Sequence, residues 1–337
     1  MRRFLLVSAL VIVAGAFLAA QAQTPTYQLP PGVRAGAQPH LKFRGTGRSS
    51  FVPLKVSQGA RASGMGDAFV AVADDINSMF WNPAGLTHVE RFEYTAGYTK
   101  WMVDSKFFSG AMAYHVGQHV LGVSLVTFSS GESLETTPTD PTGRLGNMVS
   151  ASDFFVNVAY ARKVTDKLSV SVAGKWIYER LHKDHVQSAS FDFSSLFYTG
   201  FKSVRIAMTL RNFGKDQTVQ IPGSIPSGNT AQPMVYTVAG AMEVYGKKGQ
   251  AVSLTTSGEL AYFIDDKERF HAGAELWLAN TLALRAGYRW NYYLGDWSVG
   301  AGVKREFGQS KIGVDFSFVH HNATMNSPIR VSLVGGF

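Results

Sequence analysis

The chain has 337 residues, 45% of them hydrophobic and only 17% charged, with a formal net charge of +8; this excludes a disordered polymer and leaves few charges for a soluble surface. Aromatics at 12% and 34 glycines suit strands and tight turns better than long helices. Cysteine is absent, which removes disulfide frameworks, thiolate metal sites and cysteine nucleophiles.

Arg2 and Arg3, an apolar run from Phe4 to Ala19, and then Ala20-Gln21-Ala22 form the three regions of a secretory signal peptide over residues 1–22. The run is short for a membrane span, and no other apolar run is long enough for a transmembrane helix. Mature protein is expected to begin near Gln23, so the product is exported. Losing Arg2 and Arg3 lowers the charge from +8 to +6, and the remaining basic residues are scattered rather than striped. Nucleic acid is therefore not expected as a partner, whereas a basic exterior suits lipid phosphates. Residues 23–57 carry Pro25, Pro30, Pro31 and Pro39 without periodicity and read as a flexible periplasmic arm.

Residues 58–89 form a separate unit, centred on GARASGMGDAFVAVADDINSMFWNPAGL from Gly59 to Leu86. Met65, Phe69, Val72 and Ile76 recur at helical spacing, while Ala68 to Ala73 equally alternates as a strand. Asp74 and Asp75 offer N-caps for a short helical turn through Met79 to Trp81, ended by Pro83 and Gly85. This reads as a compact plug with a rigid NPAG corner.

From residue 90 to 337 the pattern is β throughout. About fourteen segments alternate apolar with small or polar side chains between turn signals, beginning at Glu90–Lys100 and ending at Ile329–Phe337. Faces can be assigned. Val204, Ile206, Met208 and Leu210 oppose Arg205, Ala207, Thr209 and Arg211, and Leu282, Leu284, Ala286, Tyr288 and Trp290 oppose Thr281, Ala283, Arg285, Gly287 and Arg289. Phe270, Ala272, Ala274, Leu276 and Leu278 oppose His271, Gly273, Glu275 and Trp277 in the same way.

A soluble sandwich and an outer-membrane barrel both alternate like this, with opposite faces inward. Three features select the barrel. The strands are long enough to cross a bilayer when tilted. Tyr94, Tyr98, Trp101, Trp176, Tyr178, Tyr288, Trp290, Tyr292 and Tyr293 sit near strand ends, as interfacial girdles do. The chain also closes on Phe337 after an amphipathic last strand, which resembles the outer-membrane assembly signal of Gram-negative barrels. Short connections such as 117–119, 165–167 and 265–267 alternate with long ones at 129–151, 181–187 and 213–233. The plug is expected to enter from the periplasm.

The run RASGMGDAFVAVADDINSMFWNPAGL is similar to the N-terminal signature of the PorV/PorQ family, related to the FadL family of outer-membrane channels for hydrophobic compounds. YTAGYTKWMVD and VSLVTFSSGE resemble early PorV strands, and the Gly85-Leu86 continuation is more like FadL. The resemblance implies an all-β fold: a fourteen-stranded antiparallel transmembrane barrel whose N-terminal segment lies in the lumen as a hatch, with Asn82, Pro83, Ala84, Gly85 and Leu86 at its corner. It implies two alternative jobs, a non-enzymatic scaffold or cargo shuttle of type IX secretion, or a channel for long-chain fatty acids or other hydrophobic solutes. The expected partners are outer-membrane lipid and lipopolysaccharide, the barrel-assembly machinery, and either secretion components with their cargo or a hydrophobic small molecule.

Catalytic chemistry finds no support. The histidines are scattered, and no serine elbow motif occurs. His182, Asp184 and His185 form a possible metal pair, but a solvated loop tip is the better reading because further ligands are not evident. Gly64 and Gly66 lack the third glycine and preceding strand of a phosphate loop. No cofactor or metal is expected. The lumen charges Lys175, Glu179, Arg205, Arg211, Glu243, Glu259, Glu275, Arg285 and Arg289 are the functional candidates, weighed against a structural network between strands. Asn82 is read first as a cap on the Pro83 turn and second as part of a gate.

Overall fold

The computed structural model describes residues 49–182, 184–218, 229–292, 295–321 and 326–337. The expected signal peptide, most of the expected arm, and Tyr293 lie outside them. Fourteen strands close into one antiparallel barrel. They are β1 (Phe92–Lys100), β2 (Lys106–Val116), β3 (His119–Leu134), β4 (Met148–Thr165), β5 (Leu168–Leu181), β6 (Asp184–Tyr198) and β7 (Arg205–Gly214). The second seven are β8 (Val235–Tyr245), β9 (Val252–Phe263), β10 (Arg269–Leu278), β11 (Leu282–Trp290), β12 (Trp297–Phe307), β13 (Ser310–Val319) and β14 (Ile329–Gly336). Each pairs with its neighbour in sequence, and β1 pairs with β14 from Glu93↔Gly336 to Lys100↔Ile329. Phe337 and Phe92 exchange backbone hydrogen bonds at 3.0 and 3.1 Å, extending that seam to the last residue.

The period-2 pattern sets the faces as the sequence implies. Leu284, Tyr288, Trp290, Ile206, Phe270, Leu121 and Met112 are exposed on the lipid side, while Arg205, Arg285, Arg289, Glu275 and Thr209 are buried inside. Two expected girdle residues turn inward instead. Trp101 packs on Phe107 and His321, and Tyr292 packs on His271, because each follows the end of its strand and is freed from the alternation.

The strand ends define two unlike rims. One carries the short connections at 117–118, 166–167 and 308–309, together with the start of β1 and the end of β14; in the barrel convention it faces the periplasm. The other carries 135–147, 215–218 and 229–234. The four strands β3 to β6 run 16, 18, 14 and 15 residues, beyond the 9–11 a bilayer needs, and project at this loop rim. Their extension absorbs most of the expected long connection at 181–187 and shortens that at 129–151. The 265–267 connection, grouped by length with the periplasmic turns, sits at the loop rim.

The entry side of the plug also differs from expectation. Ser50 N donates to Ala231 O at 3.1 Å, and Phe51 N donates to Glu179 Oε2 at 3.2 Å, both near the loop rim. Residues 49–57 therefore pack at the loop rim rather than forming a periplasmic arm, and the chain crosses the lumen to reach β1 at the opposite rim. Proline and glycine content flagged a linker, but Phe51 is fully buried and anchors it.

Candidate functional site: the plugged lumen

The plug is seated on one wall by glycine. Helix α1 (Ala60–Gly64) is buried along its whole length. Gly66 and Asp67 follow with φ of 66° each, two left-handed residues that turn the chain against the wall. A Cβ on Gly287 of β11 would lie 2.1 Å from Gly66 N and from Met65 C, and one on Gly273 of β10 would lie 2.3 Å from Met65 O. Gly64 and Gly300 of β12 face each other the same way, at 3.0 Å. Plug backbone thus lies directly on barrel backbone, and no larger residue fits. The role of Gly64 and Gly66 is this close approach.

Between α1 and helix α2 (Ser78–Trp81) the chain is neither helix nor strand but successive turns, so both expectations for 65–77 fail. The apolar residues there face different walls of a closed lumen, which imposes no single period. Met65, Phe69, Val70, Val72 and Trp81 pack with Leu196, Ala207 and Ala239 of the barrel. Neither Asp74 nor Asp75 caps α2 directly. Asp75 Oδ1 accepts from Asn77 N at 2.8 Å, and Asp74 turns to Arg61 and Lys248.

Asn82 joins three segments. Its Nδ2 donates to Val70 O at 2.9 Å and to Ser195 O at 3.3 Å, and its Oδ1 accepts from Ala84 N at 3.1 Å, closing the Pro83 turn. Ala84 N also lies 3.2 Å from Ser194 Oγ of β6. A Cβ on Gly85 would sit 2.2 Å from Ala73 O, and Leu86 packs with Met79 over Gly122 of β3. The five corner residues are thus wedged between the rest of the plug and the β3–β6 wall.

Charge does the remaining anchoring, and its centre is Arg61, which sequence reasoning did not single out. Arg61 donates from Nε and Nη2 to the two oxygens of Glu275 at 2.8 and 2.7 Å, and from Nη1 to Asp74 and Asp75 at 2.7 Å each. Arg285 continues the chain of charges, from Nε to Glu275 at 2.7 Å and from Nη1 to Asp315 at 2.6 Å. Arg289 pairs with Asp67 at 3.1 Å. Arg205 donates to Ala71 O and to Glu243, both at 2.8 Å. Glu259 accepts from Val70 N at 3.2 Å, and Arg211 Nη1 donates to Phe80 O at 3.2 Å with its guanidinium over Trp81. Lys175 pairs with Asp192 at 3.1 Å and belongs to strand contacts alone. Of the nine charges expected in the lumen, Arg205, Arg211, Glu259, Glu275 and Arg289 bind the plug, and Arg205, Glu259 and Glu275 also pair with a neighbouring strand.

Asp67 and Asp315 were missed along with Arg61, and Asp74 and Asp75 were read as caps rather than as its partners. The available signal was the plug itself, since charged groups inside a filled lumen require partners. Burial disfavours the Asp74 carboxylate, but Arg61 and Lys248 outweigh it and hold the group well below the usual range. Asp67 is likewise lowered, against burial, chiefly by Arg289.

A cavity of about 90 Å³ lies between residues 53–58, Phe80 and Trp81 of the plug, and the walls bearing Phe155, Lys175, Arg211 and Phe263. Ligand pockets run to several hundred cubic ångströms, so this space suits a few waters and not a long solute. His185 of the possible metal pair stacks on Tyr178 at 5.8 Å, and His182 occupies a left-handed turn.

Residues 45–208, which take in the plug and the first six strands, match the family model described as type IX secretion system protein PorV. Among solved structures the chain is similar to the Ralstonia pickettii toluene transporter TbuX, at 15% identity and a TM-score of 0.58, over 83% of this chain and 97% of that one. The monoaromatic hydrocarbon channel CymD gives 14% identity and a TM-score of 0.57 over 82% and 96%. The Pseudomonas putida toluene transporter TodX gives 12% and 0.56 over 83% and 97%. Such identities speak for fold alone. Among curated proteins none matches. The chain is thus a closed fourteen-stranded barrel whose N-terminal half is similar to PorV and whose fold is that of these outer-membrane channels.

Proposed function

We propose that the protein is a non-enzymatic cargo-handling component of type IX secretion, receiving secreted proteins at the outer membrane as a scaffold or shuttle. The observation that carries this reading is the lumen. The plug is held to the walls by glycine contacts and a buried charge chain, and the cavity beside it has a volume of about 90 Å³. A barrel so filled acts through its rims and surface rather than through its bore. The NPAG corner is structural in this reading: Asn82 ties plug to wall, and a gating role would require its three hydrogen bonds to break together. Phe337 serves assembly, closing the β1–β14 seam.

Removal of the protein from its host tests this. Proteins of type IX secretion should then accumulate in the periplasm, with uptake of hydrophobic solutes unchanged. Normal secretion with impaired growth on a hydrophobic carbon source would reverse the reading in favour of the channel, a job that the fold shared with TbuX, CymD and TodX accommodates once the plug is displaced.

A further inference from the structure

The segment that enters the lumen at the loop rim is bound as a peptide ligand is bound. Phe51 is completely buried among Phe107, Val126, Phe155 and Ile177, which come from four adjacent strands. It adopts a left-handed backbone, φ 55°, a conformation that a bulky residue keeps only where its surroundings enforce it. Its N–H is taken by Glu179, and Ser49 and Ser50 add one parallel backbone bridge at Ala231. Lys55, four residues on, forms an ion pair with Asp265 of the loop rim, which also accepts from Ser49. Pro53 starts the single turn Val52–Lys55, and Val52 is left exposed.

The recess is therefore apolar at its base and acidic at its edge. Asp153 stands opposite Glu179 across β4 and β5, and its buried Oδ2 has no hydrogen-bond partner among the described residues. Residues 53–58 form one wall of the lumen cavity, so their departure would join that space to the recess. Leu54 and Val56 pack on the same apolar cluster, and Arg330 and Trp81 donate to Ser57 O and Gln58 O farther in; at the rim itself the aromatic anchor, the cation and the backbone bridge are features that another extended chain can supply.

We propose that this recess is a peptide-docking site at the loop rim, filled here in cis by residues 49–58, and that its occupant in trans is an extended segment of a secreted polypeptide offering an aromatic side chain followed closely by a basic one. The trans occupant rests on the secretion reading above; the recess and its chemistry do not. Because the cis segment competes at the high effective concentration of a tether, it must be weakened or locked for the site to be seen.

The experiment uses the full chain in detergent and a labelled peptide copied from residues 47–58, with binding read by fluorescence anisotropy. Phe51→Ala with Lys55→Ala in the protein should bind the peptide at least tenfold more tightly than the unaltered chain does. The chain has no cysteine, so Ser49→Cys with Ala231→Cys can lock the segment, and the oxidised form should not bind. A peptide carrying Phe51→Ala should fail against every form. Lys55→Ala alone leaves the buried side chains in place and should give the same order with weaker binding, which covers the case in which the double variant does not fold. Equal binding by opened and locked forms, binding indifferent to the aromatic, or binding of an alkyl probe but not of the peptide would overturn the proposal. Peptide binding without secreted proteins in an envelope capture would remove the trans occupant and the secretion reading, while leaving the recess; the reverse result would remove the recess alone.

Discussion

Substituting Gly287 by alanine puts one methyl group between the plug and its wall. The added Cβ would lie 2.1 Å from Gly66 N and Met65 C, whereas ordinary contact begins at 3.4 Å, so the plug must retreat by about 1.3 Å. Both obstructing atoms are backbone, with no flexible side chain to yield. A retreat of that size stretches the bond from Ala60 N to Ser332 Oγ, now 2.9 Å, beyond hydrogen-bond range, and draws Arg61 away from Glu275. Overpacking costs about 1–3 kcal/mol, and separating a buried ion pair about 3–5 kcal/mol. Even a net 3 kcal/mol raises the unseated population roughly a hundredfold. Trypsin cleavage after Arg61, buried in the seated plug, measures that population, and planar-bilayer conductance measures the opened bore. Gly258→Ala is the control, because its Cβ would meet nothing within 4 Å. The reasoning is refuted if Gly287→Ala remains a folded, heat-modifiable barrel and yet matches Gly258→Ala in both assays.

Arg61→Ala should loosen the plug by about 3–5 kcal/mol, since it strands Asp74, Asp75 and Glu275 in the lumen; adding Glu275→Ala should cost less than a second such loss, as read by the same protease assay. Plug seating should hold as pH falls from 8 to about 4.5. Asp67 and Asp74 have folded values below the unfolded one near 3.9, so their contribution is present above that value and is lost only as pH falls through the folded values. Cleavage after Arg61 that rises already between pH 7 and 5 would contradict this. Asn82→Ala removes a buried donor and acceptor and should cost about 1–3 kcal/mol in the same assay, while Asn82→Asp should be worse, because a carboxylate would face the carbonyls of Val70 and Ser195. Phe337→Ala should lower the yield of assembled barrel without changing the plug in the fraction that does assemble, measured by heat-modifiability and by cleavage after Arg61.

Much of the barrel was legible because a two-sided strand has a strict period. Arg205 and Ile206, or Arg285 and Leu284, could be sent to opposite faces from their order alone. Strand lengths were less legible in β3 to β6, where Glu132, Ser133 and His185 continue pairing beyond the bilayer without an apolar face to announce it. The plug was visible as a unit but not in its path. Its side chains answer to a curved wall on every side, so Met65, Phe69 and Val72 carry no usable period, and the matched glycines Gly66 and Gly287 are 221 positions apart. Arg61 was passed over because a lone arginine among small residues looks solvated until its surroundings are known to be closed. Phe51 was lost in a segment judged by its prolines.

Affinity capture of the tagged full chain from detergent-solubilised envelope, with the bound proteins identified by mass spectrometry, tests the central claim most directly. The account predicts type IX secretion components and secreted proteins in the captured fraction, retained when Gly258→Ala is the bait. A fraction that holds the barrel alone, with a hydrophobic solute bound in stoichiometric amount, would contradict it.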